Sequence, residues 1–269
     1  MNIAIINGNR TTAFSGGKAA CPFCDAPVIA KCGPQREDHW AHKGRKNCNL
    51  GKENETEWHR SWKNKFPTEF QEFIQYDPSG EKHIADVRTK HGLVIEFQHS
   101  HLDPKERDAR ERFYKNMVWV VDGTRLKKDY PRFQKGIGNL ATKKMNGYFL
   151  VPNPEICFPA DWLNSSVQVF FDFLGDMLPD PTDAHRQPLW CLHPKRVDGK
   201  AVVSMMSRES FVELATNGPP APQAPVQPAV NNMMLPAPRM IVDPRFLKEI
   251  SRLIPELTRM PPRRRYRRF

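Results

Sequence analysis

Apolar and polar positions alternate with two different periods along the first half of the chain. "IAIINGNRTTAF" alternates like a strand pair around Asn7-Gly8, the strongest short hairpin signal. In "ENETEWHRSWKNKF", Trp58, Trp62 and Phe66 recur every four residues, which predicts an amphipathic helix that Pro67 ends. "FQEFIQY", "HIADV" and "LVIEFQ" then read as three strands, with turns at Asp77-Pro78-Ser79-Gly80 and Lys90-His91-Gly92. A second helix is announced by Asp103 as N-cap, Pro104 at its first position and Glu106 completing a capping box, and it runs to about Asn116. "MVWVV" is a short buried strand stopped by Asp122-Gly123. A strand that follows a crossover helix is expected to run parallel to the one before it.

Beyond Arg125 the pattern is less regular. "GYFLVP", "VQVFFDFL" and "PLWCLH" read as strands and "SRESFVELA" as a helix. A Pro/Ala/Gln-rich stretch is expected to be extended. "DPRFLKEISRLI" predicts an amphipathic helix capped by Asp243, and the chain ends in "RRRYRRF". This divides the chain into a hairpin and cysteine-rich module over 1–50, an α/β core over 51–126 and a further α/β region over 127–217. A linker over 218–240 and a helix with an Arg-rich tail over 241–269 complete it. We find no internal repeat.

Composition narrows the partners. The 269 residues carry a formal net charge of +11, which favours a polyanion, nucleic acid before a membrane surface. Only 39% of residues are hydrophobic and 25 are proline, so part of the chain is expected to stay unpacked. No apolar run approaches the roughly 20 residues that span a bilayer, and the N-terminus lacks a secretory pattern. The chain therefore reads as cytosolic, with six cysteines suited to metal binding rather than a disulfide framework.

Two acids stand out in the strands. Ile95 and Phe97 share one face of their strand, and Glu96 and Gln98 the other. If the register aligns Asp86 with Glu96, two carboxylates meet and repel unless a cation sits between them. An oxygen-ligand ion such as Mg²⁺ or Mn²⁺ suits such a pair and can activate water against a phosphodiester. Glu55 and His59, four apart, are expected on one helix face, Glu55 as a third acidic ligand and His59 to orient water, move a proton or contact phosphate. Alternatively, Asp86 and Glu96 pair with Lys82, Arg88 or Lys90 on a solvated hairpin face. The element order resembles the core of the PD-(D/E)xK nucleases, in which the second strand supplies Asp and the third Glu-x-Lys. Gln98 stands where that pattern has lysine.

Cys21-x2-Cys24 followed by His39-x2-His42 has the ligand types of a structural Zn²⁺ site, and Cys32 or Cys48 could replace one histidine. Arg107, Arg110 and Tyr114 share a helix face. Arg263, Arg264, Arg265, Arg267 and Arg268, interleaved with Tyr266 and Phe269, suit phosphates and stacked bases, a solubilising tail, or docking on an acidic protein.

Residues 1 to 123 also resemble the CoiA-like competence proteins. The residues that carry the resemblance are "CPFC" (Cys21 to Cys24), "HWAH" (His39 to His42), "ETEWH" (Glu55 to His59), "ADV" (Ala85 to Val87), "IEFQHS" (Ile95 to Ser100), Arg110 and Tyr114. Trp40 and Thr56 depart mildly from the pattern, which has Phe and Ser there. The resemblance implies an α/β, restriction-endonuclease-like (PD-(D/E)xK) αβββαβ core with a small N-terminal zinc-binding module, and composition adds a flexible C-terminal tail. It implies a divalent-metal-dependent deoxyribonuclease, endonuclease by expectation, that acts in DNA processing, recombination or repair. Asp86 and Glu96 would hold Mg²⁺ or Mn²⁺, and Glu55, His59, Gln98, Arg110 and Tyr114 would line the site. Glutamine at 98 is then ordinary, and His59, His99 and His101 are the candidates to offset the missing lysine charge. The competing expectations are a non-catalytic zinc-containing DNA-binding protein, or a nuclease of anti-phage defence with a protein partner.

Overall fold

A computed structural model describes residues 1–44, 48, 55–77, 80, 82–138, 144–145 and 148–218. Apart from Gly218, the expected linker, C-terminal helix and arginine tail lie outside the described residues.

Two sheets organise Met1–Gly218. The N-terminal sheet has β1 (Ile3–Ile6), β2 (Asn9–Thr12), β3 (Lys18–Ala20), β4 (Pro27–Gly33) and β5 (Arg36–His42), in the order β2-β1-β3-β4-β5. Asn7 and Gly8, both at positive φ, close its first hairpin. Ala4, Val28 and Trp40 form its small core with Cys21 and Cys48. A Cβ at Gly17 would lie 2.8 Å from the Trp40 ring, so this position needs glycine for the indole to pack.

The second, nine-stranded sheet is preceded by α1 (Glu57–Lys63). It begins with β6 (Gln71–Tyr76), β7 (Lys82–Arg88) and β8 (Val94–Gln98), crosses through α2 (Pro104–Tyr114) and returns as β9 (Met117–Asp122). β6, β7 and β8 form an antiparallel meander, and β9 runs parallel to β8. The chain continues through α3 (Asp129–Gly138), β10 (Lys144–Met145), β11 (Tyr148–Val151), α4 (Pro154–Cys157), β12 (Gln168–Asp172), β13 (Leu189–Val197), β14 (Lys200–Met206) and α5 (Arg208–Asn217).

The strand order is β10-β11-β14-β13-β12-β9-β8-β7-β6. Residues 127–217, set apart in the sequence reading, therefore extend the same sheet. β12 pairs in parallel with β9, Phe170 opposite Val120. The reason lies in side-chain alternation. Met117, Trp119 and Val121 enter the core on one face, Val118 and Val120 the core on the other. A strand buried on both faces carries a continuous apolar run and needs neighbours on both edges.

Two features fix α1, which carries part of the site. Trp58, Trp62 and Phe66 surround Phe97 of β8, with Trp62 stacked at a centroid distance of 5.7 Å. Such pairs each contribute about 0.5–1.5 kcal/mol beyond burial. Asp172, fully buried at the end of β12, accepts the indole N–H groups of Trp58 and Trp62, both at 2.9 Å, and pairs with Arg208 of α5. The same carboxylate also accepts the backbone N–H groups of Leu174 and Gly175, so it is held firmly and sets the rotation of α1 against the sheet.

The N-terminal sheet docks on β6 and β7 through polar contacts. Lys82 donates to the carbonyls of Pro22 (2.8 Å) and Phe23 (2.5 Å), and Glu72 accepts the backbone N–H groups of Asn2 and Ile3. No helix among the described residues is long and apolar enough to cross a membrane.

Candidate functional site

The first site forms where β7 and β8 separate. Val87 pairs with Ile95 and Arg88 with Val94, a register that continues to place Asp86 opposite Glu96. Ala85 and Val87 should share a face, yet Ala85 packs in the core beneath α2 and Val87 in the core beneath α1. The strand therefore twists at Asp86. Glu72, opposite on β6, has φ +47°, outside the usual range for a non-glycine residue. It is held there by its carboxylate, through the amides of Asn2 and Ile3 and through Lys63.

The twist turns the Asp86 carboxylate into the gap between strands. Its Oδ2 accepts the backbone N–H of Phe97 at 2.9 Å and lies 3.0 Å from Nε2 of His59. Burial opposes ionisation of Asp86, but the His59 charge, aided by Lys63 and the Phe97 amide, wins and lowers its pKa to about 2. Reciprocally, burial would lower the His59 pKa, but Asp86 raises it above its ordinary value.

Glu96 lies on the face covered by α2 and is 3% exposed. Its Oε2 accepts a bond from Arg110 at 3.0 Å, and Arg110 also reaches Glu106 at 2.7 Å. Its Oε1 is buried without a hydrogen-bond partner among the described residues. Burial, then the Asp86 charge, raise the Glu96 pKa to about 8 against the pull of Arg110. The Tyr114 phenol beside Glu96 is pushed upward by burial and by the same acids. Two neighbouring carboxylates are thus driven apart, one ionised and one protonated at neutral pH.

This has a consequence for stability when divalent ions are absent. Folded Glu96 keeps a proton that the unfolded chain loses near its ordinary pKa of 4.5. That contribution is complete below 4.5 and is lost as the pH rises through about 8. His59, also raised, acts in the same direction at higher pH, whereas Asp86 contributes above its ordinary value and loses its share only as the pH falls toward about 2. Urea unfolding with chelator present should show stability falling by about 2 kcal/mol or more between pH 5 and pH 8. Glu96→Gln should remove most of that slope, and an unchanged slope would contradict the assignment.

The expected site residues divide as follows. Asp86, Glu96, His59, Arg110 and Tyr114 come together. Glu55 does not join the acids as a third ligand. It precedes the N-cap Thr56 rather than sitting on α1, and its carboxylate bonds Lys63 at 2.9 Å. The Gln98 amide donates to the Ser100 carbonyl and hydroxyl at 3.1 and 3.0 Å. His99 contacts Asp122 at 2.7 Å and His101 lies 3.5 Å from Asp161, so neither offsets charge at the acids. Arg107 points away from the site to the Asp161 carbonyl and Asp108. Sequence reasoning missed Lys63 and Glu72. Lys63 lies one turn beyond His59 on α1, and that spacing was its one signal.

The second site is a cluster of Cys21, Cys24, His42 and Cys48, whose ligand atoms all lie within 4.8 Å of one another. Cys48 takes the place expected for His39. Three residues apart in a strand, His39 and His42 point to opposite faces, and His39 bonds the Glu37 carbonyl instead. The turn at Cys21 brings the Phe23 N–H to 3.4 Å from the Cys21 sulfur. The sulfurs of Cys21 and Cys48 are 3.8 Å apart, and Cys24 sulfur lies 3.3 Å from Nε2 of His42. A tetrahedron with metal–sulfur bonds of about 2.3 Å has an edge of about 3.8 Å, so the set fits zinc in a structural Cys3His arrangement. Exposed Cys32 is outside it.

These observations define a mixed α/β protein with a large sheet and an N-terminal Cys/His cluster able to bind zinc. Residues 14–51, which contain that cluster, match the family model described as "Competence protein CoiA, N-terminal domain". The match makes this N-terminal stretch similar to the N-terminal domain of the CoiA competence proteins. No curated protein and no solved structure matches the chain.

Proposed function

We propose that the protein is a divalent-metal-dependent deoxyribonuclease of PD-(D/E)xK type that hydrolyses phosphodiester bonds during DNA processing linked to competence. The observation that carries this reading is the pairing of Asp86 and Glu96 on adjoining strands, with Glu96 Oε1 buried and unpartnered. Two acids buried side by side resist joint ionisation, and a cation shared between them removes that cost.

Asp86 and Glu96 would hold Mg²⁺ or Mn²⁺, which suit carboxylate oxygens. Such an ion would polarise a scissile phosphate and lower the pKa of water. His59, fixed against Asp86, is placed to exchange a proton with water or the leaving group. Arg110 shares its guanidinium between Glu96 and Glu106 and would add positive charge near a bound phosphate. The Cys3His cluster, loaded with Zn²⁺, would staple the N-terminal sheet, which Lys82 and Glu72 join to the strands of the site. The formal charge of +11 supports DNA as partner.

The test is incubation of purified protein with single-stranded, duplex and branched DNA and Mg²⁺ or Mn²⁺. Cleavage that requires the metal is expected. Salt-sensitive binding without cleavage under any metal would replace this reading by the non-catalytic DNA-binding one.

A further inference from the structure

We propose that Lys63 supplies, from α1, the fixed positive charge that a Glu-x-Lys strand would supply from position 98, and is the positioning residue of the Asp86–Glu96 site. This rests on the nuclease reading above and deepens it.

The case begins with burial. Lys63 is 3% exposed, which is rare for lysine and is tolerated only with charged partners. Its Nζ lies 2.9 Å from Glu55 Oε1 and 2.9 Å from Glu72 Oε1. An ammonium has three donors, so one remains beyond these two bonds.

Topology places this ammonium beside the acids. Lys63 follows His59 by one turn of α1, and His59 touches Asp86. Glu72, bonded to Lys63, lies opposite Asp86 in the β6–β7 register. The Lys63 charge accordingly helps to keep Asp86 ionised. Position 98 meanwhile cannot do this work, because the Gln98 amide is neutral and is held by Ser100.

The other basic groups of the site do not replace Lys63. Four acidic side chains, Asp86, Glu96, Glu55 and Glu72, meet three basic ones, His59, Lys63 and Arg110. His59 is engaged by Asp86, and Arg110 divides its charge between Glu96 and Glu106. Lys63 remains charged throughout and is locked from two sides. The lock extends to the N-terminal sheet, since Glu72 also accepts the amides of Asn2 and Ile3.

Lys63→Met alone would leave the buried Glu72 and the partly exposed Glu55 without their cation and could prevent folding. The test variant therefore combines Lys63→Met with Glu55→Gln and Glu72→Gln, which removes the whole ion cluster while keeping its shape. With folding verified by circular dichroism, Mn²⁺-dependent cleavage of labelled DNA should fall about a hundredfold in kcat, with KM for DNA little changed. Adding Gln98→Lys to this variant should recover about tenfold by returning the charge to the strand, which a merely structural role would not produce. Lys63→Arg, which keeps the charge, should stay within about tenfold of wild type. The inference is overturned if the folded triple variant cleaves within about threefold of wild type, or if Gln98→Lys restores nothing. It is equally overturned if Lys63→Arg loses as much activity as the triple variant. Failure of the wild-type protein to cleave DNA would be a different result, removing the nuclease reading itself.

Discussion

Asp86→Ala combined with Glu96→Ala is expected to lower metal-dependent DNA cleavage by about a thousandfold or more while the protein stays folded. The size follows from what the pair is asked to do. Stabilisation of a phosphoryl transition state by a bound cation amounts to several kcal/mol, and each 1.36 kcal/mol is tenfold in rate. Folding should survive for a local reason. Glu96 is a buried acid that resists ionisation up to about pH 8, so its removal relieves an unfavourable burial. Arg110 keeps Glu106 as partner, and the Asp86 side chain, at 20% exposure, leaves its gap open to water. Residual cleavage at the wild-type rate in the double variant would place the chemistry elsewhere.

The second large effect concerns the Cys3His cluster. The purified protein should carry about one zinc per chain, and Cys48→Ala should lose it, whereas His39→Ala should keep it. Metal-binding free energies of structural sites are folding free energies, about 10–16 kcal/mol in small finger peptides. Here only the N-terminal sheet depends on the staple, and a loss of at least about 3 kcal/mol is expected in thermal unfolding after chelation. The Cys21 to Cys24 turn is the part that Lys82 grips, so metal loss should also loosen Asn2 and Ile3 from Glu72. Zinc content by atomic absorption decides the ligand set. A His39→Ala protein without zinc, beside a Cys48→Ala protein that retains it, would reverse the assignment.

The sequence showed much of this arrangement because several signals are local. The four-residue stripe of Trp58, Trp62 and Phe66, the alternation around Glu96, and the Asp103-Pro104 start of α2 are each written within a few residues. Asp103 indeed caps α2, accepting the Lys105 N–H at 2.8 Å, although Glu106 turns to Arg110 instead of closing a capping box. Asp86 and Glu96 were legible because hairpin register follows from the strands and their turn.

What stayed hidden depends on contacts distant in sequence. Nothing near Glu72 in the sequence signals that its carboxylate accepts amides some 70 positions away at Asn2 and Ile3. Nothing near Lys63 in the sequence marks it as buried, because its acidic partners Glu55 and Glu72 lie eight and nine positions away. The zinc set was misread for a related reason. A His-x2-His spacing suggests two ligands on one side, but on a strand an odd separation splits them, and only the fold brings Cys48 in. The continuous sheet through β12 was missed because an apolar run such as "VQVFFDFL" does not name its neighbour.

The claim that everything else rests on is a divalent cation site at Asp86 and Glu96. Calorimetric titration of Mn²⁺ into zinc-loaded protein near pH 7.5 tests it most directly, comparing wild type with Asp86→Asn plus Glu96→Gln, which preserves side-chain shape. The account predicts saturable Mn²⁺ binding with proton release in the wild type, as Glu96 gives up its proton, and no such binding in the double variant. Equal Mn²⁺ affinity in the two proteins would contradict it.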